Sequence, residues 1–299
     1  ISFPDTRLVV NGLPWFEENK PDLSRFPKIA LDERRTGGVH SSGRMPNGAR
    51  IRLTSNTSQL SIRVQIVGKM IRGGALSAFG SRGLDCYVDG QNWRSVLPTD
   101  ELKDLTFFED AGNESKEITI YLPITQQIRI EAIGIDKNAG IETPPPFSLA
   151  KPVVFYGSSI CQGIGASRPA MTYEAILSRK LNLDYVNLGF AGAGKAEPEV
   201  VDLIKQIDAS CFVFDLAYSF RNQSPEVYGA MIDAIRKAHP NVPLICITPI
   251  FFTAEAYDKG LRDRKKRVRN MMQDPVRARM SSDPNLYLVE GVDLLGAAE

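Results

Sequence analysis

The run PVVFYGSSICQGIGASRP, residues 152–169, decides how the second half of this chain is read. An apolar segment stops at Gly157, two serines follow, and a glycine-rich turn leads into a helical segment. A short strand that is apolar on both faces and passes directly into a helix is the opening of a parallel sheet covered on both sides. In such sheets, sites form at the carboxyl ends of the strands, which here puts Ser158 and Ser159 at a functional edge. The alternative at this point is an ordinary strand-to-helix turn.

The same grammar continues downstream. LDYVNLG, SCFVFDLA, VPLICITPI and NLYLVEG are short apolar strands, separated by helical segments such as TYEAILSRKL and PEVYGAMIDAIRKA. Upstream it differs. Residues 50–66, RIRLTSNTSQLSIRVQI, alternate with period two about Asn56-Thr57 and predict a half-buried antiparallel hairpin. LDCYVDGQNWRSV predicts a second hairpin with Asp89-Gly90 as its turn, and EITIYLP and QIRIEAIGI add strands. The expected organisation is a β-sandwich or jelly-roll domain over 1–145 and an α/β domain over 150–299. ETPPPFSLAKP lies between them, its three prolines unable to join a ladder.

The chain has 299 residues and a net charge of +1, and no run approaches the length needed to span a bilayer. Neither nucleic acid nor an anionic membrane is indicated as a partner. The basic stretch AYDKGLRDRKKRVRNMMQDPVRARM is interleaved with Asp258, Asp263 and Asp274 and reads as a solvated helix face, with a polyanion-binding face as the alternative. The four cysteines are widely spaced and read as free core residues. Two histidines, neither at ligand spacing to a cysteine, argue against a zinc site, and no cofactor is implied.

Known motifs narrow the strand ends. GFAGAGKAE, 189–197, matches the phosphate-loop pattern through Gly189, Gly194 and Lys195, but Ala196 stands where a hydroxyl ligates magnesium. GxSxG fails because Cys161 follows Ser159 at the glycine position, and Gly163 and Gly165 do not complete GxGxxG.

The block GSSIxQGxxASRP, Gly157–Pro169, resembles the first block of the SGNH (GDSL-like) hydrolases, in their two-domain, carbohydrate-esterase-like branch. The resemblance implies a three-layer α/β fold with Ser159 as nucleophile, its own N–H turned into an oxyanion hole, and Ser158 serving the turn. NLGFAG matches the second block, N-x-G-x-x-G, through Asn187 and Gly189, and makes Gly192 the oxyanion-hole glycine. The third block, often D-L-G-x-N, reads DLAYS and puts Ser219 where an asparagine donor is expected, with Asn222 three residues on. The Asp and His of the family come last, as D-x-x-H after a segment like Tyr287–Gly296, so the expectation is that this pair follows Glu299. His239 reads as a helix cap, and His40 as a loop residue of the β domain.

The implied activity is a serine esterase that removes acetyl or another small acyl group from a carbohydrate or similar ester through an acyl-enzyme. An acyltransferase on the same fold, a saccharide-binding pseudoenzyme, and a nucleotide-binding protein using Gly189–Lys195 are the alternatives. A polysaccharide substrate suits an exported, periplasmic or secreted protein.

Overall fold

A computed structural model describes residues 1–27, 38–70 and 76–295. Among these, one compact unit takes in 1–27, 41–70, 76–150 and 163–187, and a second takes in 38–40, 151–162 and 188–295.

The first unit contains two antiparallel sheets. Strands β1 (Val9–Asn11), β2 (Arg50–Ser55), β3 (Leu60–Ile66), β4 (Leu84–Val88), β5 (Gln91–Val96), β6 (Lys103–Phe108), β7 (Lys116–Tyr121), β8 (Ile128–Ile135) and β9 (Ile141–Glu142) follow in chain order. One sheet runs β1-β2-β7-β4-β5 with β9 on β2, and the other runs β6-β3-β8. Alternate side chains of both, including Ile51, Leu53, Ile62, Val64, Cys86, Phe107, Ile120 and Ile130, form one buried core. That is the β-sandwich expected from the alternation. The described helices before residue 145 are short: α1 (Phe16–Asn19), α2 (Gly38–Gly43) and α3 (Ala78–Arg82).

The hairpin expected over 50–66 does not form. β2 pairs with β1, β7 and β9, while β3 pairs with β6 and β8, so the chain changes sheets at Asn56-Thr57. Period-two alternation marks a strand with one buried face but does not say which strand lies beside it. The corner is closed from across the unit by Asp136. Its carboxylate accepts from Ser58 N at 2.5 Å, Ser58 Oγ at 2.9 Å, Thr57 Oγ1 at 3.1 Å and Gln59 Nε2 at 2.6 Å. These donors, the Ser58 amide first, hold its pKa down to about 2. A carboxyl depressed by folding contributes stability above its unfolded value near 4, and that contribution fades as pH falls toward 2. Asp136→Asn is therefore expected to lower the unfolding temperature at pH 7, with the gap to wild type closing between about pH 4 and 2. Denaturation series across that range check it; a gap independent of pH would refute it.

The expected Asp89-Gly90 hairpin is present. β4 and β5 pair directly, and φ is 49° at Asp89 and 75° at Gly90, as a tight two-residue turn requires.

The second set of strands is β10 (Val153–Gly157), β11 (Tyr185–Gly189), β12 (Cys211–Asp215), β13 (Leu244–Ile247) and β14 (Leu286–Val289). They form one sheet in the order β11-β10-β12-β13-β14, with β10 to β14 paired in parallel. Its helices are α4 (Ser159–Gln162), α5 (Tyr173–Leu181), α6 (Pro198–Ile204), α7 (Pro225–Ala238) and α8 (Lys259–Met280). α5 starts where Thr172 Oγ1 accepts from Ala175 N at 3.3 Å, and stops at Asn182 in the left-handed conformation. α7 begins at Pro225 and buries Tyr228, Met231, Ile232 and Ile235 at helical spacing.

The basic stretch is α8. Val268, Met272 and Val276 face inward, while Arg269, Arg277 and Arg279 pair with Glu255, Glu290 and Asp233. No helix among the described residues is long and apolar enough to cross a membrane.

The packing does not divide at the prolines. Residues 163–187 belong to the first unit, where fully buried Asp85 accepts from Ala170 N at 2.8 Å and Ser95 Oγ at 2.6 Å. Burial raises the Asp85 carboxyl against those bonds. Buried Arg50 pairs with Asp184 and lies 3.9 Å from the centre of the Tyr185 ring.

Candidate active site

The site is built at the carboxyl ends of β10, β11 and β12. β10 ends at Gly157, and the next residue, Ser158, is 1 % exposed. The Ser158 amide donates to Asp215 O at 2.9 Å, and its hydroxyl accepts from Ile160 N at 3.3 Å. Ser158 is thus consumed by the turn. Ser159, the first residue of α4, is half-buried, and its hydroxyl makes no hydrogen bond with any described residue. As the first helical residue it also has no intrahelical partner for its N–H. The two serines of the motif are chemically distinct: one is a strut, the other is presented.

The loop after β11 is held against this turn. Phe190 N donates to Gly157 O at 2.9 Å, and Ala193 N to Phe190 O at 3.1 Å. Gly189 is a glycine because a Cβ there would collide with the backbone of Cys161 and Gln162. Gly192 is a glycine for a different reason: its φ is +72°, and nothing lies within 4 Å of where a Cβ would stand. Its N–H has no described acceptor.

The side chain that joins the two pieces is Gln162. It is 1 % exposed, and its Oε1 accepts from Ala191 N at 2.6 Å, one residue before Gly192. Sequence reasoning did not single it out, because a glutamine on a short helix looks like a surface residue. Its place within the Ser159 block was the available signal. Asn187, of the same N-x-G-x-x-G block, is buried, and its Oδ1 accepts from Asn47 Nδ2 at 3.0 Å.

The phosphate-loop geometry is occupied by protein groups. Lys195 N donates to Glu197 Oε2 at 2.8 Å, Ala196 N to Tyr156 Oη at 3.0 Å, and Tyr156 Oη to Glu197 at 2.7 Å. Burial, with the Glu197 charge beside it, pushes the Tyr156 phenol well above its ordinary value, so it remains a neutral donor. Amides that would cradle a phosphate here serve a carboxylate and a phenol. The nucleotide alternative loses its donors.

The third strand end carries Ser219 on the 3-10 turn Ala217–Asn222. Ser219 is half-buried, and its hydroxyl, like that of Ser159, has no described partner. Asn222 sits one turn further along, on the same side, roughly 6 Å away. Tyr218 is backed by Lys265 of α8, whose ammonium lies 3.6 Å from that ring centre and 3.8 Å from that of Phe252. Ala217 occupies the position where the resemblance expects glycine, and its φ is +46°. A left-handed alanine costs on the order of 1–2 kcal/mol, partly offset in a glycine variant by added unfolded-state entropy. Ala217→Gly is therefore expected to stabilise the protein by about 1 kcal/mol, raising the unfolding temperature by roughly 2–4 °C. Thermal denaturation that shows no gain would refute this.

The histidines are placed differently from one another. The His239 ring Nε2 is 3.0 Å from Lys205 O, and the ring packs at 4.8 Å on Phe212, at the end of α7 that precedes β13. It is a cap. His40 is not a loop residue of the first unit: it lies on α2, in the second unit with Ser159, two residues after Gly38, which approaches Ala193. Position in the sequence alone does not settle which core a short segment packs against. Burial pushes the Cys246 thiol to about 12 and the Cys211 thiol to about 11, so both stay protonated. Among the described residues, no group of three or more His, Cys, Asp or Glu side chains is placed to hold a metal.

A parallel sheet whose first strand delivers a serine to its carboxyl edge, beside a glycine loop from the neighbouring strand, in a chain that begins with a β-sandwich, defines a two-domain α/β hydrolase of the SGNH type. Residues 150–299 match the GDSL-like lipase/acylhydrolase family, and residues 2–141 match the N-terminus of SGNH-hydrolase-type esterases. The chain belongs to the GDSL-like lipase/acylhydrolase family.

Among solved structures, a Bacteroides ovatus protein described as a GDSL-like lipase is 27% identical, with a TM-score of 0.83 over 97% of this chain and 86% of that one. A salicylyl-acyltransferase from a tetracycline biosynthetic pathway is 23% identical, with a TM-score of 0.81 over 100% of this chain and 86% of that one. A family two carbohydrate esterase from Clostridium thermocellum, in complex with cellohexaose, is 13% identical, with a TM-score of 0.61 over 82% of each. Comparison with curated proteins finds no match.

Proposed function

We propose that the protein is a serine esterase acting on the acyl ester of a carbohydrate or similar alcohol, with Ser159 as nucleophile. The observation that carries this reading is the free Ser159 hydroxyl at the β10 edge, with the unpartnered Gly192 N–H on the adjoining loop. Ser159 Oγ attacks the ester carbonyl as its proton passes to a general base, and the carbonyl oxygen becomes an oxyanion. The Ser159 and Gly192 N–H groups, and Ser219 through its hydroxyl, receive that charge. Collapse of the tetrahedral intermediate expels the alcohol and leaves an acyl-serine. Water then releases the acid; a hydroxyl acceptor in its place makes the same site an acyltransferase. His239, engaged by Lys205 O, is not that base.

The saccharide as alcohol is supported by the carbohydrate esterases among the structural neighbours. The test is covalent trapping. Incubating the protein with a short-chain aryl ester, quenching in acid and mapping peptides by mass spectrometry should find the acyl group on the peptide carrying Ser159. An adduct on a different residue would overturn the assignment.

A further inference from the structure

A cavity of about 760 Å³ opens beside Gly192, between α6 and α7. Its lining shares Gly192 with the loop assigned to the oxyanion, and the space beside that glycine is empty. Ala193, Ala196, Val201 and Met231 form a buried apolar floor, continued by Val227. Among the described residues, no aromatic ring lines it. Two of its acids are already engaged: Glu197 receives the Tyr156 hydroxyl, and Asp202 pairs with Lys205. Lys195 and Gln223 are the remaining polar side chains among the described lining residues.

A saccharide ring is held chiefly by stacking on aromatic faces, and the described lining of this cavity offers none. An acyl chain asks only for apolar wall next to the oxyanion donors. The volume falls in the range that takes a whole small ligand, far more than an acetyl methyl fills. We propose that this groove is the acyl-binding site and selects an aliphatic acyl group longer than acetyl. The proposal rests on the Ser159 reading for its connection to catalysis and widens the acyl group beyond acetyl.

Each methylene taken from water favours binding by up to about fourfold, so octanoate should bind at least tenfold more tightly than acetate. Isothermal titration of the wild-type protein with the two carboxylates reads this directly. Ala230→Phe/Ala234→Phe, one helical turn apart on the α7 wall of the groove, should weaken octanoate at least tenfold. It should also cut the ratio of octanoate-ester to acetate-ester turnover at least tenfold. Octanoate that binds no better than acetate, or equally well in the filled variant, overturns the groove. Undiminished ester turnover by Ser159→Ala would instead overturn the nucleophile, and the carboxylate titrations would still decide the groove without any turnover.

Discussion

Ser159→Ala is expected to lower ester turnover by on the order of 10³ or more, with the unfolding temperature unchanged. The magnitude follows from chemistry. Without the hydroxyl no acyl-enzyme forms, and only the oxyanion donors and binding remain to assist direct attack by water. The structural part of the expectation is equally specific: the Ser159 hydroxyl bonds to no described residue, so its removal leaves no orphaned partner. Ser158→Ala is the instructive contrast. Ser158 is buried and accepts the Ile160 amide, so its loss should register as lost stability, of about 1 kcal/mol. Steady-state kinetics on an aryl ester and parallel thermal melts separate the two. Equal turnover by wild type and Ser159→Ala would end the serine mechanism.

The second large effect is expected at Gln162. Its amide oxygen, on a side chain buried in the turn, is the acceptor for Ala191 N at 2.6 Å. Gln162→Leu leaves that amide without a partner and frees the loop that carries Gly192. A displacement of about 1 Å at a catalytic donor can cost on the order of 10² in rate. Turnover number should therefore fall about a hundredfold with KM little changed, because Gln162 positions a group that matters most when negative charge develops. Gln162→Glu keeps an acceptor at the same place and should recover part of the loss. A purely structural role predicts otherwise: KM and kcat would move with stability, and Glu would rescue no better than Leu.

Much of the fold was legible because its signals are local. Short apolar runs such as VVFYG, YVNLG and CFVFD, alternating with helical segments, mark buried strands, and β10, β11 and β12 form where those runs stand. Asp89-Gly90 announced its turn because two successive positive φ angles demand such residues. Pairing partners were not legible. The alternation over 50–66 is the same whether β2 and β3 lie side by side or in opposite sheets, and Asp136, far along the chain, closes the corner. Nor did the prolines at 144–146 foretell that 163–187 would pack with the first unit, since Asp85 and Arg50 make those contacts from a distance in sequence.

At the candidate site the division is the same. The residues GSSICQG and NLGFAG by themselves determined the family, the strand ends to inspect and the two glycines beside Ser159, because backbone close approach and positive φ are written directly in residue type. Only the tertiary structure decided that Ser158 is a buried strut while Ser159 is presented, that Gln162 ties the two strand ends together, and that Lys195 and Ala196 donate to Glu197 and Tyr156. The physical reason is that a hydrogen bond depends on which donor and acceptor meet in space after burial has removed water as a competitor. Residue order alone does not contain that information.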